Sequence, residues 1–288
     1  LFATWRRRCV RLSIAIVNWN ASRFLVECLQ SLQAHPPSVE HEIFVVDNAS
    51  DDFDERDFRA KFPHVKLIVN PYNAGYARAN NQAIEASRGE YVLLLNPDTR
   101  VTEHALDKLI AFMDSHPDAA ACGPKLVRPD GSVERSVRSF PYPAAVAFEF
   151  TGLSRILPRS RVFGGYRMRW FSYDEEAEVD QPMGSCLMLR RTAVEQVGVL
   201  DESFPIFFNE VDWLYRAKQM GWKVYFTPAA VVVHHGGAST AQAGRRKMIR
   251  ESHESLVRFY AKHFRARIPG PAYFFLILCI RLGALIRR

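Results

Sequence analysis

Three clusters of amide and carboxyl side chains follow directly on apolar runs, and they are the residues whose placement could do chemistry. Tyr91 to Leu95 is unbroken apolar sequence that stops at Asn96-Pro97-Asp98. Leu12 to Val17 stops at Asn18-Trp19-Asn20, and Ile43 to Val46 stops at Asp47-Asn48-Ala49-Ser50-Asp51-Asp52. A carboxylate held by a stiff Pro turn offers hard oxygen ligands to a divalent cation such as Mg2+ or Mn2+. Asp98 is the candidate; the alternative is a turn, or a cap for a helix starting at Thr102. One polar strand end is a turn, whereas three in succession are expected to form the lip of one pocket.

The elements that must hold these clusters can be read from periodicity. Apolar runs without alternation are strands buried on both faces, as in a parallel sheet. Tyr91–Leu95 is such a run, and Leu12–Val17, Ile43–Val46 and Lys66–Val69 read as the other strands. A helix from about Ser22 carries Phe24, Leu25, Cys28, Leu29 and Leu32 on one face and ends before Pro36-Pro37. An Ala-rich helix with Arg78, Asn80 and Asn81 follows Asn73-Ala74-Gly75. The alternation predicts a Rossmann-like α/β fold: a mostly parallel central sheet flanked by helices, with ligands beyond the carboxyl ends of its strands. Neither G-x-G-x-x-G nor G-x-x-x-x-G-K-[ST] occurs, which removes dinucleotide-binding and P-loop proteins.

Further along, a helix is expected over Thr102–Ser115 and a strand at Ala119–Cys122. Residues 123–182 are punctuated by Pro, Gly and Arg, with a short helix expected within Phe140–Leu157. They read as an acceptor-side insertion or mobile loop. Order returns with a strand at Cys186–Leu189, a capping box formed by Thr192 and Glu195, and a helix over Asp212–Met220. Short strands follow at Val224–Phe226 and Val231–Val233. A basic helix then carries Met248, Ile249, Ser252, Leu256 and Phe259.

The chain has 288 residues, 48% of them hydrophobic and 24% charged, an ordinary globular balance. Its five scattered cysteines include no C-x-x-C pair, which argues against a disulfide framework or a cysteine zinc site and fits reduced cytoplasmic thiols. No secretory signal is visible at the start. The net charge is +7, but residues 241–288 hold 11 Lys/Arg against two acids. No nucleic-acid motif accompanies this basic stretch, so an anionic membrane surface is the expected partner. Ala272 to Ile280 is uncharged but far shorter than the ~20 residues of a spanning helix. An interfacial helical tail is expected there, not needed for chemistry, with Arg281 and Arg287-Arg288 reaching for head groups.

Taken in order, Val17-Asn18-Trp19-Asn20, Val46-Asp47-Asn48-Ala49-Ser50, Asn73-Ala74-Gly75, Leu95-Asn96-Pro97-Asp98, Gly184-Ser185, Asn209-Glu210-Val211-Asp212 and His234-His235-Gly236-Gly237 resemble the family 2 glycosyltransferases, most closely the bacterial rhamnosyltransferase-like branch. The resemblance covers roughly residues 12–240. It implies a GT-A fold, a nucleotide-sugar donor, a divalent metal and inversion at the anomeric carbon. Asp98 matches the last acid of the family's DxD-type motif, and Asn96 departs from a strict DxD. His234 matches a histidine at the metal or diphosphate; the plainer alternative is a strand-end histidine bonded to a neighbour. Asp47 is implied to bond the nucleotide base, Trp19 to pack near it and Gly75 to allow close backbone approach. Asn18, Asn20, Asn73, Asn81, Asn96, Gly184 and Ser185 complete the implied donor-binding set. Glu210 is implied to be the catalytic base, with Asp212 the runner-up; Asp212 could instead cap the helix or orient Arg216. Asn209 departs from the family's usual acid.

The resemblance implies a catalytic domain (12–240); charge and hydropathy mark off a basic N-terminal extension (1–11), a basic helix (241–267) and a membrane-associating tail (268–288). The activity implied is that of a metal-dependent inverting hexosyltransferase in cell-envelope polysaccharide synthesis, peripheral on the inner face of the membrane. The candidate donor is dTDP-L-rhamnose, and the acceptor a glycan or a polyprenyl-linked sugar. A sugar nucleotidyltransferase would want a Gly-rich basic loop after the first strand, which Asn18-Trp19-Asn20 does not supply. A non-catalytic nucleotide-sugar-binding protein would not need Asp98, Glu210 and His234. A processive synthase would carry Q-x-x-R-W and several membrane spans, and neither is present.

Overall fold

The computed structural model describes residues 10–236 and 244–286. Most of the basic N-terminal extension, Gly237 to Thr240 of the His-Gly segment and Arg287-Arg288 lie outside the described residues. The chain opens with β1 (Leu12–Asn18), α1 (Ser22–Ala34), β2 (His41–Asp47), α2 (Glu55–Lys61), β3 (Lys66–Val69), α3 (Tyr76–Ala86) and β4 (Tyr91–Leu95). It continues with β5 (Thr99–Val101), α4 (Ala105–Ser115), β6 (Ala119–Val127), β7 (Val137–Arg138), α5 (Pro143–Phe150), α6 (Leu153–Ile156), β8 (Ala177–Glu178), β9 (Gln181–Pro182) and β10 (Cys186–Arg190). It closes with α7 (Arg191–Val197), α8 (Asn209–Gln219), β11 (Lys223–His234), α9 (Arg245–His263) and α10 (Gly270–Ile286).

A nine-stranded sheet runs in the order β3-β2-β1-β4-β10-β6-β11-β5, with β8 beside β11. The half built from the first four strands is parallel throughout: β1 and β4 are buried on both faces and β2 nearly so, while β3 closes the edge half-exposed. The other half is mixed. Strand β10 enters antiparallel between β4 and β6, while β6 and β11 pair parallel. Alternate residues feed two cores: Leu12, Ile14 and Ile16 of β1 pack with α1 and α4, and Ala15 and Val17 pack with α3 and α8. Each fully buried Leu or Ile contributes about 1.5–3 kcal/mol relative to exposure.

Several local expectations shift. Helix α4 starts at Ala105 because β5 intervenes, so Asp98 does not cap it. Thr192 lies inside α7 and its hydroxyl caps nothing: the chain passes straight from β10 into the helix at Arg190, whose side chain instead binds the carbonyls of Ala119, Met113 and His116. The two short strands expected after Trp222 are one strand, β11, broken in register between Thr227 and Val231 around Pro228. The stretch 123–182 is folded: β6 runs on through Gly123-Pro124, and Gly152 at φ 79° separates α5 from α6.

The tail is docked. Ile280 of α10 is fully buried, and Tyr273, Leu276 and Ile277 pack on the core at helical spacing. Among the described residues, no helix is long and apolar enough to cross a membrane.

Candidate active site

The carboxyl ends of β1, β2 and β4 lie level: Asn18 pairs with Asp47 and Ile16 with Leu95. Because β10 is antiparallel, its start meets the same edge, and the Asn96 N–H donates to the Ser185 carbonyl at 2.8 Å. A cavity of about 830 Å3 opens there. Trp19, Asn73, Gly75, Asn96, Gly184 and Ser185 line it, as do Asp98, His234 and Glu210. These are the residues on which the sequence reading converged.

Each wall has a local cause. Gly75 sits at φ 87°, and a Cβ there would come within 3.2 Å of Pro205. The position therefore needs glycine both for its backbone and for its packing. The Asn73 side chain accepts from the Gly75 N–H at 2.9 Å, an Asx turn that starts α3. The Tyr76 hydroxyl donates to Asn96 Oδ1 at 2.9 Å, tying α3 to the end of β4.

Strands β5 and β11 pair so that His234 lies opposite Thr99, which brings Asp98 beside the imidazole. His234 Nε2 is 3.5 Å from Asp98 Oδ1, and its Nδ1 is 2.7 Å from Glu134 Oε2. All three groups are largely buried. Burial alone would lower the imidazole pKa, but the carboxylates of Asp98 and Glu134 outweigh it and hold it up at about 9. His235 points elsewhere, with its ring 5.4 Å from that of Phe24.

A carboxylate and an imidazole meeting on a cavity wall suit a divalent cation. Glu134 on Nδ1 is the usual outer carboxylate that orients a metal-binding histidine, leaving Nε2 for the ion. Among the described residues no group of three or more metal-ligating side chains occurs. Asp98 and His234 would hold such an ion only with ligand oxygens and water completing its shell, as is common for Mg2+ beside phosphates.

Glu210 stands in the first turn of α8, behind Phe208 at φ 70°. A Cβ on Gly184 would come within 3.1 Å of Glu210 Cγ, so the glycine leaves the side chain its place. Burial pushes the Glu210 carboxyl above the usual carboxylate range, although its own helix N–H groups and Arg138 act the other way.

Other predicted residues are not on this wall. Asp47 is buried; its carboxylate accepts from Asn18 Nδ2 at 2.8 Å and from the Ser50 N–H at 3.1 Å. Asn48 is the residue of that segment that reaches the cavity. The Asn20 side chain accepts from the Asp51 N–H at 2.7 Å, so it closes the loop after β2. Asn81 exchanges two hydrogen bonds with the Leu200 backbone and pins the segment before α8. Asp212 is fully buried and accepts from Arg216 (2.8 Å), Lys262 (2.8 Å) and His263 (2.7 Å). The reading that it orients Arg216 matches this placement.

The sequence reading did not single out Glu134, Arg138 or Tyr166, nor give Lys247, Met248 or Ser252 of α9 a place at the cavity. Met248 and Ser252 are four apart on one helix face, a signal that places them together but does not say what they face.

Comparison with known proteins gives the family. The model of "Glycosyl transferase family 2" matches residues 13–198. The chain belongs to that family. It is 31% identical over 216 residues to the N-acetylglucosaminyl-diphospho-decaprenol L-rhamnosyltransferase of Mycobacterium tuberculosis, covering 69% of this chain and 68% of the relative. It is 28% identical over 214 residues to a low-salt glycan biosynthesis hexosyltransferase of Haloferax volcanii, covering 72% of this chain and 62% of that one. This family 2 glycosyltransferase falls in the rhamnosyltransferase-like branch. Its fold is that of GT-A enzymes: a Pyrobaculum calidifontis mannosyltransferase solved with GDP-Man and Mn2+ superposes with a TM-score of 0.59 at 17% identity, covering 95% of this chain and 70% of that one. The family match ends before α8 and β11, so the cavity geometry is what brings Glu210 and His234 to the site.

Proposed function

We propose that this glycosyltransferase moves a hexose, with L-rhamnose the first candidate, from a nucleoside diphosphate donor to a hydroxyl of a lipid-linked or glycan acceptor, inverting the anomeric centre. The observation that carries this is Glu210: a desolvated carboxylate with raised basicity on the wall of the cavity that also holds Asp98 and His234. Direct displacement needs a base at the attacking hydroxyl, and a carboxylate within hydrogen-bond reach of that oxygen suffices. Glu210 takes the hydroxyl proton as the oxygen attacks the anomeric carbon and the diphosphate leaves. Trp19 and Asn48 are the surface offered to the nucleoside, with Asp47 fixing their loops through Asn18 and Ser50. Asp98 and His234 would hold a Mg2+ or Mn2+, which when bound would neutralise charge on the departing diphosphate.

The sugar and acceptor classes rest on the name of the mycobacterial relative, and dTDP-L-rhamnose is the corresponding donor to try first. With a lipid-linked acceptor the enzyme would work at the cytoplasmic membrane surface, and the exposed Phe274 and Phe275 of α10 would be its contact there. Glu210→Gln keeps the shape and removes the basicity. It is expected to lower kcat by roughly 10²–10⁴-fold while nucleotide-sugar still raises the melting temperature. Undiminished turnover by this variant would rule Glu210 out as the base.

A further inference from the structure

The tail is only half of a larger basic, apolar surface. Phe150 to Tyr173 contains five arginines and no acid; Phe264 to Arg288 contains another five and no acid. These ten charges exceed the net +7 of the whole chain, so the remainder carries −3. In both segments the basic residues are all arginine. Its weakly hydrated, planar guanidinium suits phosphate recognition at an apolar boundary.

The two segments meet in the fold. Helix α10 packs on α5, and α5 on α6. The Phe150 ring lies so close to Gly283 that a Cβ there would meet it at 2.6 Å. Both segments hold large apolar side chains out to solvent. In α10 these are Phe274 (71% exposed) and Phe275 (67%), with Leu278 and Leu282 one and two turns on. In and after α6 they are Ile156 (73%) and Val162 (63%), with Leu157 beside them. Arg155, Arg159, Arg161, Arg265 and Arg281 are exposed among them. The only acid on the neighbouring α5, Glu149, pairs with Arg167. Exposed apolar clusters of this kind mark an interaction surface, and their rim, positive in balance although Glu254 of α9 lies near Arg281, selects an anionic one.

We propose that the Arg155–Val162 turn and α10 together form one docking surface for an anionic lipid bilayer. This rests on the membrane placement of the preceding section and adds a second contact to it. Two separated contacts fix an orientation that one helix cannot. Tyr166, in the same insertion, lines the catalytic cavity, so docking through this face would set the cavity at a fixed height above the lipid.

Flotation of the full chain with phosphatidylglycerol/phosphatidylcholine vesicles tests this, with pure phosphatidylcholine as control. Ile156→Asp/Val162→Asp and Phe274→Asp/Phe275→Asp alter exposed side chains only. Each pair is expected to lower partitioning onto the anionic vesicles at least ~10-fold, with turnover of a water-soluble acceptor unchanged. Arg155→Gln/Arg159→Gln/Arg161→Gln, which leaves the apolar residues in place, is expected to weaken binding several-fold and flatten its salt dependence. If the α10 pair abolishes flotation while the Ile156/Val162 pair and the arginine triple float like the wild type, the second contact is wrong and the tail reading stands. If the wild type does not float, both fail. A concentration-dependent dimer that the same apolar pairs dissolve would assign the surface to a second copy of the chain and overturn the proposal.

Discussion

The chemistry turns on positions of a single residue. Asp47 and Asn48 are neighbours in sequence, yet only Asn48 lines the cavity while Asp47 is consumed by Asn18 and Ser50. Asn48 is the first residue past the end of β2, and its side chain is held by the Gly75 carbonyl and the Asn70 amide instead. Gly184 shows the same dependence on small distances. Its substitution by Ala would place a Cβ 3.1 Å from Glu210 Cγ, and Glu210 must give way. Gly184→Ala is expected to lower kcat by about 10-fold or more with little change in melting temperature, which steady-state kinetics beside a thermal melt would read. Asp98→Ala is expected to cost at least ~10²-fold in turnover, as loss of leaving-group stabilisation should. It should also remove the extra melting temperature that Mn2+ adds in the presence of nucleoside diphosphate. Full activity in EDTA would contradict the metal assignment.

At the scale of elements, the half-exposed edge strand β3 shows only as a short apolar stretch behind Lys66, while β1, β2 and β4 were legible because strands buried in a sheet leave apolar runs. The direction of β10 was not, since periodicity carries no polarity and only the path through the 123–182 insertion decides it. Nor was the place of α9, which depends on contacts made far along the chain. Its Lys262 and His263 converge on Asp212 at the start of α8, and its other end brings Lys247, Met248 and Ser252 to the cavity. Burial alone would raise the Asp212 pKa, but hydrogen bonds from His263, Lys262 and Arg216 hold it below the usual carboxylate range. The stability from this depression is present above the unfolded carboxylate's pKa of about 4 and is lost as pH falls through the folded value. Asp212→Asn should therefore lower the melting temperature at pH 7, and the gap from wild type should narrow in acid below about pH 4. A gap independent of pH would show that packing, rather than charge, holds α9 to α8.

For the molecule as a whole, charge and apolar surface are segregated: a near-neutral catalytic body carries an arginine-rich apolar flank. The sequence showed the basic tail but not its attachment, because an apolar segment gives no sign of which face it buries. Tyr273, Leu276, Ile277 and Ile280 turn inward, so α10 belongs to the fold as well as to the surface. Removing residues after Ile268 is expected to lower the melting temperature by several degrees, since Ile280 alone accounts for about 1.5–3 kcal/mol of burial. An unchanged melt would make the tail a separable appendage. Product stereochemistry is the most direct measurement on the proposed inverting glycosyl transfer in this cavity. Proton NMR of the product made from dTDP-L-rhamnose, Mn2+ and a short-chain prenyl-diphosphate-linked N-acetylglucosamine should show an anomeric configuration opposite to the donor's. A product that retains the donor's configuration would rule out single displacement with Glu210 as the base.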